Sequence, residues 1–193
     1  MALILGLGGT SWADSSTERA LCLALEAARR DGAETRLFGS AFLTGLPHYG
    51  TPASRNFAQA AAFIDALRLA DGLIIASPGY HGTVSGLVKN AIDYIEETAR
   101  DARPYLEAMP VGLIVSAGGW QATGTTLVAM RSIVHALRGW PTPLGVTIRN
   151  EAGMFEGGRC NDESVRAQLE MMAHQVVAFR HEPVLTANSG SAG

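Results

Sequence analysis

The sequence ALILGLGGTSWADSSTERALCLALEAARR, residues 2–30, contains the pattern that decides the fold. Ala2–Gly8 is a continuous apolar run that ends in glycines, which is typical of a strand buried on both faces of a parallel sheet. A run of hydroxyl-bearing residues follows, and then a helix from about Ser16 to Arg30 with alanines and leucines along one face. The stretch predicts a strand, a polar loop and a helix, which together form the first unit of an α/β fold.

The same unit recurs along the chain. Further strands are predicted at Glu34–Phe38, Leu73–Ser77, Val111–Ser116 and Pro143–Arg149. Four further helices are predicted. The first is capped by Ser54 and has Phe57, Ala61, Ile64 and Leu67 on its inner face. The others are Thr83–Glu97, a helix at about 123–138, and a last helix that is capped by Asp162. Gly39–Ala53 and Asn150–Asn161 are predicted loops.

This alternation predicts a five-stranded parallel sheet with helices on both faces, because each right-handed crossover needs a helix to return the chain. The expected strand order is 2-1-3-4-5 in a single domain of residues 1–182, followed by a flexible tail of residues 183–193. Ligands of such sheets bind beyond the carboxyl ends of the strands, where the strand order reverses. The loops after strands 1, 3 and 4 are therefore the expected site.

Composition narrows the classes of function. Hydrophobic residues make up 47% and charged residues 17% of the 193 residues, which is typical of a globular chain. The net charge of −3, without a basic run, argues against nucleic acid or an anionic membrane as the main partner. Cys22 and Cys160 have no metal-site spacing and favour a reducing, cytoplasmic location. No metal site is predicted.

The loop after strand 1 combines glycines with hydroxyl-bearing residues at a helix start. Thr10, Ser15, Ser16 and Thr17 offer hydroxyls and backbone N–H groups, and no lysine or arginine occurs before Arg19. This chemistry suits one terminal phosphate. A P-loop is excluded because GxxxxGK[ST] is missing, and Ser11 stands where a dinucleotide fingerprint has its third glycine. A helix-capping cluster without a ligand is the alternative.

Two further loops combine glycine with aromatic residues. One contains Pro78, Gly79, Tyr80, His81 and Gly82, and the other contains Ser116, Gly118, Gly119 and Trp120. Glycines let the backbone approach a flat ligand, so the facing loops predict a slot for a planar ring system. Ordinary loop chemistry, with Tyr80 and Trp120 at a subunit contact, is the alternative.

Residues 77–93, SPGYHGTVSGLVKNAID, resemble the signature loop and helix of the NADPH-dependent FMN reductase family, which runs roughly P-x-Y-x-x-x-x-x-G-x-L-K-N-x-I-D. The first loop is similar to the family pattern G-S-x-R-x-x-S-x-[NT], with Gly9, Thr10, Ser15 and Thr17 in register. Ser116–Gly119 resembles the family's third flavin loop. The similarity covers about residues 2–180 and implies a flavodoxin-like three-layer sandwich.

The resemblance implies FMN as cofactor and NADPH or NADH as co-substrate, with no catalytic side chain because the flavin carries the chemistry. It implies phosphate near Thr10, Ser15, Ser16 and Thr17. It places the ring against residues 78–81, with Ser116, Gly118 and Gly119 on its other side. It also implies a homodimer or homotetramer with the helix of Ser85–Glu97 at the interface. Trp12 is also a candidate cofactor-binding residue, although it stands where the family usually has arginine. Gly79 and His81 stand where many members have Glu and Asn.

The predicted function is that of an FMN-dependent NAD(P)H oxidoreductase that passes hydride to free FMN, a quinone or a similar acceptor. A flavodoxin-like electron carrier is the second interpretation, although such carriers tend to be more acidic. A hydrolase ranks third because no GxSxG elbow occurs. Within the site, His81 either contacts flavin or substrate or lies at the surface, and Trp120 is a candidate gate for the nicotinamide face.

Overall fold

The computed structural model describes residues 1–179 and contains one main mixed sheet flanked by helices. The strands are β1 Leu3–Gly8, β2 Glu34–Phe38, β3 Gly72–Tyr80, β4 Thr83–Val84, β5 Pro110–Ala117, β6 Trp140–Pro141, β7 Val146–Arg149, β8 Phe155–Glu156 and β9 Arg159–Cys160. The helices are α1 Ser16–Arg30, α2 Ser40–Gly45, α3 Ala58–Leu69, α4 Gly86–Asp93, α5 Trp120–Ala136 and α6 Glu163–Ala178.

The sheet has the predicted order. β2, β1, β3 and β5 lie side by side in parallel, and β6 and β7 both pair with β5 at the far edge. The predicted fifth strand, Pro143–Arg149, is too long at its start, because β7 begins only at Val146. The order 2-1-3-4-5 is nevertheless confirmed, and it places the reversal of strand order between β1 and β3.

The core lies in two layers because alternate residues of each buried strand face opposite sides of the sheet. Leu5, Leu73 and Leu113 face the layer that contains α3, α4 and α5. Their neighbours Ile4 and Ile74 face the layer of α1 and α6. The predicted three-layer sandwich with a buried parallel sheet is therefore confirmed.

Two predictions about residues 39–57 are wrong. The predicted loop Gly39–Ala53 contains α2, whose Phe42 ring packs against Phe38 and Phe63 at centroid distances of 5.0 and 5.4 Å. Ser54 does not cap the next helix, because α3 starts at Ala58 after Phe57 and has no side-chain cap. The glycines and prolines of this segment hid a helix that tertiary packing of aromatic rings stabilises.

The predicted helix Thr83–Glu97 is also too long at its start. β3 continues through Pro78 to Tyr80, and β4 folds back against it through a two-residue turn. His81 and Gly82 have φ values of 51° and 82°, and positive values at both central residues define a hairpin turn whose twist suits a β-ribbon. α4 begins only after Ser85, whose Oγ accepts a hydrogen bond from the Val88 N–H at 3.3 Å.

The last third of the chain follows the prediction more closely. The helix predicted at 123–138 starts earlier, at Trp120, and the predicted loop Asn150–Asn161 contains the small hairpin of β8 and β9. Asp162 caps α6 as predicted, with its Oδ1 accepting from the Val165 N–H at 3.0 Å. The predicted tail, residues 183–193, lies outside the described residues, and the single domain of residues 1–182 stays a prediction. No helix within residues 1–179 combines the length and apolarity that crossing a bilayer requires.

Candidate functional site

A cleft of about 430 Å³ lies at the carboxyl edge of the sheet, beside the reversal of strand order. Loops that follow β1, β5 and β7 contribute to its wall, as does the end of β3. Ten of the fourteen predicted site residues line this cleft: Thr10, Trp12, Ser15, Ser16, Thr17, Pro78, Gly79, Tyr80, Ser116 and Gly118. The structure therefore brings together three loops that are far apart in sequence.

Four predicted residues do not line the cleft. His81 and Gly82 form the exposed turn between β3 and β4, and Gly119 is the residue before α5. Trp120 begins α5 and is 60% exposed, with the Arg149 guanidinium 5.8 Å from its ring centroid. These four remain predictions as ligand contacts, and each would need a ligand that extends beyond the cleft.

Two lining residues are absent from the set that the sequence predicts. Ala117 ends β5 and Asn150 follows β7, and the Asn150 N–H donates to the Ala117 carbonyl at 2.8 Å. A signal exists in the sequence, because Asn150 is the first residue after a predicted strand at the same sheet edge. The loop after strand 5 therefore belongs to the site together with the loops after strands 1, 3 and 4.

The start of α1 presents free donors to one end of the cleft. Ser15 is the N-cap, with φ −60° and ψ 155°, and its Oγ accepts from the Glu18 N–H at 3.3 Å. Within residues 1–179, the backbone N–H groups of Ser15, Ser16 and Thr17 have no protein acceptor. Free amides at the positive end of a helix dipole bind anions, and a phosphate fits this donor set.

Side-chain hydroxyls at this end of the cleft are partly committed. Thr10 Oγ1 accepts from the Trp12 N–H and donates to the Trp12 carbonyl, both at 3.1 Å, so it shapes the loop. Thr17 Oγ1 and Ser116 Oγ are 2.6 Å apart and buried, and they join α1 to the end of β5. Ser15 Oγ only accepts, and Ser16 Oγ has no protein partner within residues 1–179, so the free anion donors are the three backbone N–H groups and these two hydroxyls.

The other end of the cleft is formed by residues 78–80. Ser77 Oγ donates to the Pro78 carbonyl at 2.9 Å and accepts from the Ser85 N–H at 3.0 Å, which fixes this segment against the start of α4. Tyr80 is 49% exposed at the rim. A rigid backbone segment beside an exposed ring is suited to contact with a flat aromatic ligand.

Gly79 is required here by the position of α5. A Cβ at residue 79 would lie 2.9 Å from Thr126 Oγ1 and 3.0 Å from the Ala122 carbonyl oxygen, both on α5. A side chain at residue 79 of this chain would therefore press on α5. We expect Gly79→Ala to lower the free energy of unfolding by about 1–2 kcal/mol through overpacking.

Urea unfolding measures that effect. Gly118→Ala is the matched control, because a Cβ at this cleft residue would meet no atom within 4 Å. An equal loss in both variants would contradict the proposed contact between Gly79 and α5.

None of the twelve residues that line the cleft is charged. Among residues 1–179, no group of three or more His, Cys, Asp or Glu is arranged to hold a metal ion. Neither cysteine lines the cleft, and burial, aided by the carboxylates of Glu18 and Glu26, raises the pKa of the Cys22 thiol. The cleft therefore provides hydrogen-bond donors and ring surface, with neither a charged side chain nor a thiol in its wall.

A larger cavity of about 590 Å³ lies elsewhere, between residues 49–68 and the turn at residues 94–97. Its rim carries Arg55, Arg68 and Glu97, and Tyr49 and Tyr94 contribute ring surface. Its wall also contains Phe57 and Ala60 at the start of α3, but the cavity lies away from the carboxyl ends of the parallel strands. The smaller cleft is the better candidate because it lies where the strand order reverses and has the free amides of α1 in its wall.

A doubly wound sheet with free amides at a helix start beside the strand reversal is an arrangement in which α/β proteins bind phosphate-bearing ligands. A sequence profile of the family described as NADPH-dependent FMN reductase matches residues 2–153. This match covers most of the chain, and the chain belongs to that family.

Similar proteins agree with this assignment. The FMN-dependent NADPH-azoreductase of Staphylococcus aureus is 32% identical over 116 residues, an alignment that covers 57% of this chain and 56% of that protein. The chain thus spans about half the length of the curated relatives it matches.

Solved structures share the fold. The apo form of an NADH:FMN oxidoreductase superimposes with a TM-score of 0.75 at 19% identity, covering 95% of this chain and 92% of the other. A flavodoxin of Streptococcus pneumoniae gives a TM-score of 0.62 at 14% identity, covering 91% and 98%. Because an oxidoreductase and a flavodoxin both share the fold, the fold alone does not separate an enzyme from a carrier.

Proposed function

We propose that this chain is an FMN-dependent NAD(P)H oxidoreductase that passes hydride from NAD(P)H to bound flavin and on to free FMN, a quinone or a similar acceptor. The observation that carries the proposal is the pairing of three free amides at the start of α1 with the backbone slot of residues 78–80 in one cleft. Membership in the family and the azoreductase relative support it.

The residues present fit FMN. The N–H groups of Ser15, Ser16 and Thr17 would hold its phosphate, and the segments Pro78–Tyr80 and 116–118 would hold the ring system. When bound, FMN supplies the hydride chemistry, so no side-chain acid or base is needed. The chain's own residues would bind and orient the ring beside Tyr80, which is half-exposed at the rim of the cleft.

The neutral lining has a consequence for the co-substrate. With no charged side chain in the cleft wall, contacts to a nicotinamide ring there are apolar contacts and neutral hydrogen bonds. The proposal covers both NADPH and NADH, which carry the same nicotinamide ring. A homodimer or homotetramer with α4 at the interface and a cytoplasmic location also belong to the proposal.

The second candidate is a flavodoxin-like electron carrier, which the superposition with a flavodoxin favours. The two functions differ in one measurable property. An oxidoreductase oxidises NAD(P)H by itself in the presence of free FMN or a quinone, whereas a carrier does not.

The test is an absorption spectrum of the purified protein with added FMN, recorded before and after anaerobic addition of NADPH or NADH. We expect flavin bands perturbed by binding, which bleach on addition of either nucleotide and return when a quinone is added. Bound flavin that neither nucleotide reduces would favour the carrier. Absence of flavin binding would refute both functions.

A further inference from the structure

The loop after β1 is held from the side of α2, the short helix at residues 40–45. The Ser40 N–H donates to Glu18 Oε1 at 2.7 Å, and Ser40 Oγ donates to the Trp12 carbonyl at 3.1 Å. The Thr10 N–H donates to Ser40 Oγ at 3.3 Å. Glu18 Oε2 accepts from the Asp14 N–H at 3.0 Å. We refer to these five residues, Thr10, Trp12, Asp14, Glu18 and Ser40, as the loop network.

Glu18 is unexpected at this position. Its carboxylate lies in the first turn of α1, next to the amides that would hold a phosphate, and two anions repel each other. Arg19, the nearest cation in sequence, donates to the Phe155 carbonyl instead of facing the cleft. The helix dipole favours a glutamate in this first turn, but repulsion disfavours it once a phosphate binds.

The bonds that Glu18 makes give it a different role. A glutamate three residues after an N-cap serine commonly accepts from the N–H of that serine, which closes a capping box. Here the carboxylate accepts from the Asp14 and Ser40 N–H groups, and the Ser15 N–H has no protein acceptor within residues 1–179. Asp14 has φ 59°, the left-handed conformation that turns its N–H toward Glu18.

The Glu18 carboxylate has little room to take another position. A Cβ at residue 39 would lie 2.1 Å from Glu18 Oε1, so the carboxylate packs directly against the backbone of Gly39. Ser40 is only 2% exposed. The loop network is therefore a fixed part of the fold that bridges the loop after β1 and the start of α2.

We propose that Glu18 and Ser40 are positioning residues for the phosphate of the flavin, an inference that rests on the proposed function. They hold residues 10–15 in the shape that leaves the Ser15, Ser16 and Thr17 N–H groups free and convergent. The binding free energy gained from well-placed N–H donors exceeds the free energy lost to repulsion between the Glu18 carboxylate and the phosphate.

Glu18→Gln separates two effects of the Glu18 carboxylate on phosphate binding, which are its charge repulsion and its hydrogen bonds to the loop. Removal of the charge alone would tighten binding of the phosphate. The loop network predicts the opposite, because an amide offers one acceptor oxygen to two N–H donors and places an NH₂ group against the other. We expect the Kd of FMN to rise about tenfold, while the Kd of riboflavin, which has no phosphate, stays unchanged.

The measurement is quenching of flavin fluorescence during titration with protein, for FMN and riboflavin in parallel. Glu26→Gln is the matched control, because Glu26 is an exposed glutamate of the same helix whose neighbour is Arg29 at 4.0 Å. Ser40→Ala, which removes two bonds of the loop network, is expected to show the same FMN-specific loss.

Each outcome decides the inference. Tighter or unchanged FMN binding in Glu18→Gln overturns it, and so does an equal loss for both flavins, which would indicate a general structural role. If the unaltered protein binds riboflavin and FMN but the variants lose no affinity specifically for FMN, the proposed function stands and the positioning role of Glu18 and Ser40 is refuted. If the unaltered protein binds neither flavin, the proposed function fails and this inference fails with it.

Discussion

Gly8→Ala is expected to lower the free energy of unfolding by about 3 kcal/mol or more and to abolish flavin binding. Gly8 has φ 152°, and a Cβ there would lie 2.1 Å from the carbonyl oxygen of Ala76 on the adjacent central strand. A backbone carbonyl within the sheet cannot move aside as a flexible side chain can. The end of β1 must separate from β3, and the loop that follows loses its position.

Urea unfolding of the flavin-free protein measures the loss of stability. Gly124→Ala is the control, because Gly124 lies within α5 and a Cβ there would meet no atom within 4 Å. Alanine at that helical position is expected to stabilise the protein by about 0.5–1 kcal/mol. A Gly8→Ala protein as stable as the unaltered chain would mean that β1 and β3 do not approach each other as described.

Ser16→Pro is expected to weaken FMN binding roughly tenfold to a hundredfold without loss of stability. Ser16 is the first residue of α1, where proline is well tolerated because that N–H has no partner inside the helix. Ser15 already has φ −60° and ψ 155°, the extended conformation that a following proline requires. The substitution therefore removes one free amide and keeps the helix.

The control for this prediction is Ser16→Ala, which removes the hydroxyl but retains the N–H. We expect its FMN affinity to stay much closer to that of the unaltered protein. Riboflavin binding should be equal in all three proteins, because the amide is expected to contact only the phosphate. Equal FMN affinity in Ser16→Pro and Ser16→Ala would contradict a role for the backbone amide.

Much of the fold was predictable because its signals are local. The apolar run of β1 and the one-sided face of α1 determine the first unit, and Asp162 marks the start of α6 by its own side chain. The parallel order followed from the crossover rule rather than from any single residue. These features require only the sequence near each element.

The wrong predictions occur where contacts between distant segments determine the local structure. α2 is too short to be stable alone and depends on the packing of Phe42 between Phe38 and Phe63. The tight turn at His81 and Gly82 was not predicted, because the strand predicted at Leu73–Ser77 stops before Pro78, whereas β3 continues to Tyr80.

The candidate site was predictable in its loops but not in its details. Strand ends predicted which loops meet, and ten of the fourteen predicted residues line one cleft. The roles of Glu18 and Ser40 depend on a bond between residues 22 positions apart. No sequence pattern marks a contact of that kind, because α2 itself was not predicted.

The most direct test of the account is a crystal structure of the protein with FMN. We predict the phosphate within hydrogen-bond distance of the Ser15, Ser16 and Thr17 N–H groups, with the ring system against Pro78–Tyr80. A complex in which FMN occupies the cavity between residues 49–68 and 94–97, with the cleft at the strand ends empty, would contradict it.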